Sequence, residues 1–337
     1  MAIKKGRQTI SFEKGVYVDS YAAVVGKKEG EGPLFKYFDK IFKDEYLGTD
    51  SFEKAESMLQ KKALEILLKK ANKKPTDIDY IFAGDLLNQC MGSSFSIRDF
   101  GVAFIGLYGA CSTMILSMCQ AALYIESGAA NHTIAMTSSH FCSSERQFRF
   151  PLEYGCQRTP TSQWTVTGAG ATLLSNQKSH IKLNSFLIGK IIDYEIKDPN
   201  NMGAAMAPAA AETIRTYLED TGRKISDFDY IFTGDLGEIG SKLLVKILKA
   251  EKIDISKKHR DCGKIIFDID NQEVAAGGSG CGCVGSVLNS YIFSKLKNGD
   301  YKRILVCATG ALLSTLSSQQ GESIPGIAHL IEFEYCG

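Results

Sequence analysis

One hydrophobic pattern occurs twice in the chain, 150 residues apart. Residues 77–86 read DIDYIFAGDL and residues 227–236 read DFDYIFTGDL, so eight of ten positions agree. Each copy has a short, almost wholly apolar centre (YIFAG and YIFTG), as expected for a β-strand that is covered on both faces. The repeat therefore predicts two related units, each with a buried strand that ends in Gly-Asp-Leu.

A helical pattern precedes each copy. Residues 51–71 place apolar side chains at helical spacing, and Asp50 is the expected N-cap. Residues 208–220 form the second predicted helix, with Pro208 at its start and Gly222 just beyond its end. The apolar face of the first helix is Phe52, Ala55, Leu59, Ala63 and Ile66.

A second pair of segments follows in the same order. Residues 108–139 and 277–311 each contain a glycine turn, a helix, a loop and an apolar strand. When the strands TIAMTS and RILVCAT are aligned, Cys281 falls at the position of Cys111. Strands that alternate with helices predict right-handed βαβ crossovers and an α/β fold. We expect the two halves to be residues 1–180 and 181–337.

Composition narrows the class of protein. The 39 basic and 38 acidic residues nearly cancel, which gives no reason to expect nucleic acid as a partner. The N-terminus has no apolar signal region, and the uncharged run between Asp99 and Glu126 is interrupted by GLYGACST, which favours a buried strand and helix over a membrane span. The ten cysteines indicate a reducing compartment, and the spacing of histidine and cysteine predicts no metal site.

Short motifs lie along almost the whole chain. They are GDLLNQ (84–89), GACST (109–113), TSSH (137–140), ERQFRFPLEYG (145–155), TVTGAGA (165–171), NNMGAAMAPAAA (200–211), GGSGCGC (277–283), ATGALLS (308–314) and ESIPGIAH (322–329). Together with the duplicated α/β halves, these motifs are similar to the stage V sporulation protein AD family, a branch of the thiolase and ketoacyl synthase superfamily. The resemblance implies a thiolase-like, five-layered αβαβα fold with two duplicated halves, no cofactor, and a homodimer.

The resemblance also implies a function. The family is implicated in moving dipicolinic acid, as its calcium chelate, into the developing spore and in its release at germination. The implied partners are dipicolinic acid, with or without calcium, and other membrane proteins of the stage V sporulation A group. The implied location is cytoplasmic and peripheral at the spore inner membrane.

Cys111 is the candidate nucleophile. A helix N-terminus favours its thiolate, but bond-forming members of the superfamily add two polar partners, a His with a second His or an Asn. Asp235 and Gly278 occupy those places here, and a neighbouring carboxylate would raise the pKa of the thiol. His140 and His329 are the possible substitutes. We therefore interpret Cys111 as a vestigial nucleophile that lines a retained pocket.

The expected ligand contacts lie where strands of the first half end, because such loops carry ligand contacts in α/β folds. Arg146 and Arg149, three residues apart, either address one anion or form ion pairs with Glu145 and Glu153. Asp85, like Asp235, either contacts ligand or orients its own loop. The expected ligand-binding residues are Asp85, Asn88, Cys111, Ser138, Ser139, His140, Arg146 and Arg149.

Two other functions remain open at this point. The chain could be a condensing enzyme for acyl-CoA or acyl-carrier-protein substrates that uses Cys111, or a structural adaptor of a spore membrane channel that binds no small ligand. The first predicts a reactive thiol, and the second predicts that changes in the pocket leave function intact.

Overall fold

The computed structural model describes residues 2–148 and 158–337. Most of its strands join one large mixed sheet, and two short strands pair separately. The strands are β1 (Ile3–Lys5), β2 (Thr9–Val25), β3 (Lys40–Ile41), β4 (Tyr80–Gly84), β5 (Ala103–Gly106), β6 (His132–Ser139), β7 (Trp164–Thr165), β8 (Gly168–Ser175), β9 (Ile181–Ile188), β10 (Tyr230–Thr233), β11 (His259–Asp261), β12 (Gly278–Ser279), β13 (Arg303–Ala311) and β14 (Gly326–Tyr335).

The helices alternate with these strands, as the sequence pattern predicts. A π-helical turn over Leu288–Ile292 lies between two of them. The α-helices are α1 (Lys27–Gly30), α2 (Phe52–Ala71), α3 (Met91–Ile97), α4 (Thr113–Ser127), α5 (Phe141–Phe148), α6 (Met202–Thr221), α7 (Gly237–Ala250), α8 (Cys262–Ile265), α9 (Cys281–Val287), α10 (Phe293–Lys297) and α11 (Thr315–Gln319).

The sheet contains the same strand order twice. In the first half the order is β2-β8-β6-β4-β5, and in the second it is β9-β14-β13-β10-β11. In each half the first two pairings are antiparallel and the last two are parallel. Antiparallel pairing of β2 with β9 joins the halves. The duplication predicted from the repeated GDL strands is therefore present in the topology.

Helices cover the strands in layers. The central helices α4 and α9 contact each other, and α4 also contacts strands of both halves. On the outer faces, α2 packs against the first half and α6 against the second. Three large clusters of buried apolar side chains fill the spaces between these layers. The result is the predicted αβαβα arrangement, and it brings the N-termini of the two central helices close together.

Two helix starts differ from the sequence predictions. The N-cap of α2 is Ser51 rather than Asp50, since the Ser51 side chain accepts a hydrogen bond from the Lys54 N–H. Helix α6 begins at Met202, six residues before the predicted start at Pro208. Proline fixes φ near the helical value, but at this interior position Pro208 cannot donate a hydrogen bond to the Ala204 carbonyl. Gly222 ends α6 in the left-handed conformation, as predicted.

The uncharged run from residue 100 to 125 forms β5, a loop and most of α4. Among residues 2–148 and 158–337, no helix is long and apolar enough to cross a membrane.

Candidate functional site

Cys111 lies in a tight turn just before α4. The preceding residue, Ala110, has φ 50°, a left-handed conformation that costs a non-glycine residue about 1–3 kcal/mol. Two side chains hold this turn: Ser112 Oγ donates to the Gly109 carbonyl and Thr113 Oγ1 to the Ala110 carbonyl, each at 2.6 Å. The Cys111 side chain is only 6% exposed, yet it contributes to the wall of a cavity.

This cavity, the Cys111 cavity, has a volume of about 380 Å³. That size is within the range of small-molecule sites. Glu145 in its wall forms an ion pair with Arg158 at 2.9 Å. None of the described residues in the wall is Lys, Arg or His. Hydroxyl and amide groups dominate the polar wall: Ser144, Ser162, Gln163, Thr165, Asn200, Ser279, Ser314, Thr315, Ser318 and Gln319. The larger apolar and aromatic side chains are Leu86, Tyr108, Phe148, Met202 and Leu313.

Asp235 is the buried acid next to Cys111. One carboxylate oxygen accepts from Ser279 Oγ and from the Gly280 N–H, both at 3.0 Å. The other accepts from Thr309 Oγ1 at 2.8 Å. Asp235 therefore ties the end of β10 to the turn that precedes α9 and to β13. These are the bonds that its predicted role in orienting loops requires.

The surroundings of Cys111 disfavour its thiolate. Burial, first of all, raises the pKa of the Cys111 thiol well above its ordinary value. The negative charge of Asp235 and a hydrogen bond between the thiol and Asp235 raise this pKa further. Burial thus outweighs the favourable effect of the α4 N-terminus, and the thiol is protonated at neutral pH.

The position predicted for the second polar partner is off by one residue. A Cβ atom on Gly278 would meet Ile266 and Val166 at 3.1 Å each, so this position faces apolar side chains rather than the thiol. The next residue, Ser279, places its Oγ 3.9 Å from Cys111 Sγ. In a glycine-rich turn such as AAGGSGC, the sequence pattern does not show which residue faces Cys111.

Neither candidate histidine reaches the thiol. His329, on β14, accepts a hydrogen bond from the Gly189 N–H on Nδ1, and its buried Nε2 has no hydrogen-bond partner among the described residues. Burial lowers the pKa of His329 to about 4. Neither it nor His140 is among the described residues that line the Cys111 cavity. The described part of the wall thus offers Cys111 no imidazole as a general base.

Ser138, Ser139 and His140 are fully buried at the end of β6 and bond to other parts of the protein. Ser138 Oγ donates to Glu56, and Ser139 Oγ donates to the Val166 carbonyl. They lie outside the described wall of the Cys111 cavity. Their role as ligand contacts stays a prediction.

His140 has bonds on both ring nitrogens. Its Nε2 lies 2.8 Å from the Glu45 carbonyl, and its Nδ1 accepts from the Cys142 N–H at 3.2 Å. Burial lowers the pKa of His140, which keeps it neutral at pH 7 and disfavours contact with a carboxylate as an imidazolium.

Asp85, the counterpart of Asp235, is directed into its own loop. One of its oxygens accepts from the Leu87 N–H at 2.9 Å, and the other accepts from the Ser93 N–H and Oγ, both at 2.7 Å. Asp85 lies outside the described wall of the Cys111 cavity. Of its two predicted roles, the bonds support the orientation of the loop.

Asn88 and Arg146 lie together, in a different and more open cavity. Helix α5 separates it from the Cys111 cavity, because Ser144 and Phe148 face one side and Arg146 and Gln147 the other. Arg146 pairs with Glu53 at 3.1 Å, not with Glu145. Arg149 and Glu153 lie outside the described residues.

The sequence predictions missed the part of the wall that comes from the second half. The segment with Asn200 and Met202, together with α11 and the residues just before it, closes one side of the cavity. The motifs NNMGAAMAPAAA and ATGALLS cover only part of this wall and stop before α11, and neither contains a chemically distinctive residue. The serines and threonines of the short helix α11 give a sequence pattern that is also typical of an exposed loop.

Solved structures share this fold at low sequence identity. A variant of OleA from Xanthomonas campestris aligns with a TM-score of 0.64 and 14% identity, over 96% of this chain and 98% of that one. The 3-oxoacyl-[acyl-carrier-protein] synthase III from Aquifex aeolicus VF5 aligns with a TM-score of 0.58 and 14% identity, over 95% and 100%. With the duplicated halves and the cysteine before a central helix, these likenesses define a thiolase-fold protein.

The sequence comparisons identify the branch of this fold. The profile of the family described as Stage V sporulation protein AD (SpoVAD) matches residues 6–334. The Stage V sporulation protein AD of Bacillus subtilis (strain 168) is 43% identical over 332 residues, which is 98% of each chain. The chain belongs to the Stage V sporulation protein AD family, as the motifs predict.

Proposed function

We propose that this sporulation protein binds dipicolinic acid in the Cys111 cavity, for uptake into the developing spore and release at germination, and that it catalyses no thiolase-type reaction. The environment of Cys111 supports the proposal that no thiolase-type reaction takes place. The thiol is buried and faces a carboxylate and a serine instead of an imidazole. Neither Asp235 nor Ser279 supplies an imidazole or an amide, the groups with which the condensing enzymes take up the proton of the nucleophile and stabilise the thioester oxyanion.

The wall of the cavity supports the calcium chelate as the bound form. Dipicolinate is a flat pyridine with two carboxylates, and a free dianion would need positive charge close by. The described wall offers none, but it is rich in hydroxyl and amide groups. A calcium ion held by the ligand makes the complex neutral, and its open coordination positions accept oxygen atoms of the kind found in this wall. The ring would lie against Tyr108 and Phe148.

The wider role follows from membership of the family. We propose that the protein acts peripherally at the spore inner membrane, as a homodimer, with membrane proteins of the stage V sporulation A group. Binding without catalysis suits this role, because the ligand must leave unchanged at germination.

Calorimetric titration with dipicolinate, with and without calcium, tests the proposal. Ser318→Trp would fill the cavity from α11, whereas Leu316→Trp places the same side chain on the same helix at a position 64% exposed and outside the cavity. We expect saturable heat that Ser318→Trp removes and Leu316→Trp keeps. The absence of heat at millimolar ligand, an affinity weaker than about −4 kcal/mol, would favour the structural adaptor.

The condensing enzyme is tested in the same preparations. We expect no acyl group on Cys111 after incubation with an acyl-CoA thioester, by mass spectrometry of the intact protein. Acylation in the wild type that Cys111→Ala abolishes would establish the nucleophile and overturn the non-catalytic part of the proposal.

A further inference from the structure

A separate cavity lies beside the second half, is walled by tyrosines and is completed by residues 33–37 of the first half. This tyrosine cavity has a volume of about 490 Å³ and is lined by Tyr37, Tyr230, Tyr291 and Tyr301, among others. It has no residue in common with the described wall of the Cys111 cavity. The tyrosine cavity is open to solvent beside β11, the edge strand of the second half.

The four rings form two edge-to-face pairs. Tyr37 and Tyr291 lie 5.1 Å apart at 79°, and Tyr230 and Tyr301 lie 4.9 Å apart at 60°. A hydrogen bond of 2.8 Å between the hydroxyl groups of Tyr291 and Tyr301 links the pairs. One hydroxyl donates this bond, so the hydrogen of the other is free to donate to a ligand. The wall thus combines flat apolar surface with a polar donor.

The charge around the tyrosine cavity is positive. The guanidinium of Arg260 lies 4.9 Å from the ring centre of Tyr230, and the ammonium of Lys36 lies 5.4 Å from that of Tyr37. Arg260 donates hydrogen bonds only to backbone carbonyls among the described residues, with no carboxylate within ion-pair distance of it. Lys264 pairs with Glu238 outside the cavity. No Asp or Glu is among the described lining residues.

We propose that the tyrosine cavity binds a planar aromatic carboxylate. A flat ring would pack against the tyrosine rings, which prefer offset or edge-to-face neighbours. Its carboxylate would accept hydrogen bonds from the fork of Arg260 and from the free tyrosine hydroxyl. Among the described residues, no carboxylate pairs with Arg260 and no acidic side chain lines the cavity, which favours this ligand over a neutral or cationic one. This inference concerns a different cavity and does not depend on the proposed function of the Cys111 cavity.

Titration calorimetry with isophthalate (benzene-1,3-dicarboxylate) tests the site. We expect saturable binding to the wild type and affinity at least about tenfold weaker for Arg260→Ala, since one charge-assisted pair is lost. Tyr291→Phe keeps the ring and removes one hydroxyl, so we expect a smaller loss. Cyclohexane-1,3-dicarboxylate, which has the same charges without the flat ring, should bind at least about tenfold more weakly than isophthalate.

Two further variants locate the binding. Arg7→Ala removes an arginine whose side chain lies outside this cavity and should leave the affinity unchanged. Ser318→Trp should also leave it unchanged, because it fills only the Cys111 cavity. Absence of isophthalate binding, equal affinity of Arg260→Ala and wild type, or loss of binding in Ser318→Trp would each overturn the proposal. If dipicolinate binding is lost in Ser318→Trp and unchanged in Arg260→Ala, the dipicolinate site is the Cys111 cavity. The proposed function then holds whether or not the tyrosine cavity binds isophthalate.

Discussion

Asp235 and Ser279 are joined by a hydrogen bond of 3.0 Å that links the two elements facing Cys111. Its counterpart in the first half, Asp85, makes no such link and bonds its own loop. The difference arises from Asp261 on β11, which accepts from the Leu236 and Gly237 N–H groups at 2.9 Å each. Because Asp261 holds that loop, Asp235 is free to turn toward Ser279 and the Cys111 thiol.

In this arrangement, the negative charge of Asp235 raises the pKa of the Cys111 thiol. We expect Asp235→Asn to lower the pKa of the thiol, because it removes a negative charge from a buried site. A fall of one pKa unit would raise the alkylation rate of Cys111 at pH 8 about tenfold, since the thiolate is the reactive species. The rate can be measured by mass spectrometry of the peptide that contains Cys111.

Two controls accompany that experiment. The exposed Cys336 reports in the same sample on the alkylating reagent, and Asp85→Asn removes the matching carboxylate of the first half. Wild-type Cys111 that reacts faster than Cys336 near pH 7 would contradict the assignment of a protonated, inert thiol.

Glu56 should make the protein less stable at alkaline pH. Burial raises the pKa of Glu56 from its ordinary value of 4.5 to about 8, while Ser138 and Ser143 donate to it. The folded state therefore binds this proton more tightly than the unfolded state, so the free energy of unfolding falls as pH rises from about 4.5 to 8.

Glu56→Gln should remove that part of the pH dependence. An amide can keep bonds to both serines and cannot ionise. We therefore expect the free energy of unfolding of the variant, relative to that of the wild type, to increase between pH 6 and pH 8.5. Each kcal/mol should shift the melting temperature by less than the roughly 2–4 °C typical of 150–250 residues, because the entropy of unfolding grows with chain length and this chain has 337 residues. Thermal melts at both pH values, with the exposed Glu219→Gln as control, check this. A variant that loses stability by the same amount as the wild type over this range would show that Glu56 ionises normally.

His140→Ala distinguishes a ligand contact from a structural residue. The two bonds of the buried ring, to the Glu45 carbonyl and from the Cys142 N–H, lead us to expect a loss of about 1–3 kcal/mol in the free energy of unfolding. We expect dipicolinate affinity to stay within about threefold of the wild type, a difference below 1 kcal/mol. Denaturant unfolding and calorimetry provide the two measurements. Loss of binding in a variant of wild-type stability would instead support the ligand role predicted from the sequence.

The sequence predicted the fold better than the site for a physical reason. The buried strands YIFAG and YIFTG must be apolar on both faces. This requirement produces a run of apolar residues that can be recognised in both copies of the repeat. The predicted motif TSSH does end a strand, but whether its side chains face the cavity or the interior depends on tertiary packing. Ser138 and Ser139 turned inward, whereas Ser318 on α11, from a segment without a clear pattern, faces the cavity.

The close contact between β8 and α9 provides the last prediction. A Cβ atom on Gly170 would lie 2.0 Å from the Gly285 carbonyl oxygen, so alanine there must push α9 away from the sheet. We expect Gly170→Ala to lower the free energy of unfolding by about 1–3 kcal/mol, as overpacking does in cores. Gly106→Ala is the control, because its nearest neighbour is the partly exposed ring of Phe104 at 3.3 Å. Since α9 begins directly after Ser279 and Gly280, its displacement should also weaken dipicolinate binding measured by calorimetry. Equal stability of the two variants would show that α9 is free to shift and that the cavity wall does not depend on this contact.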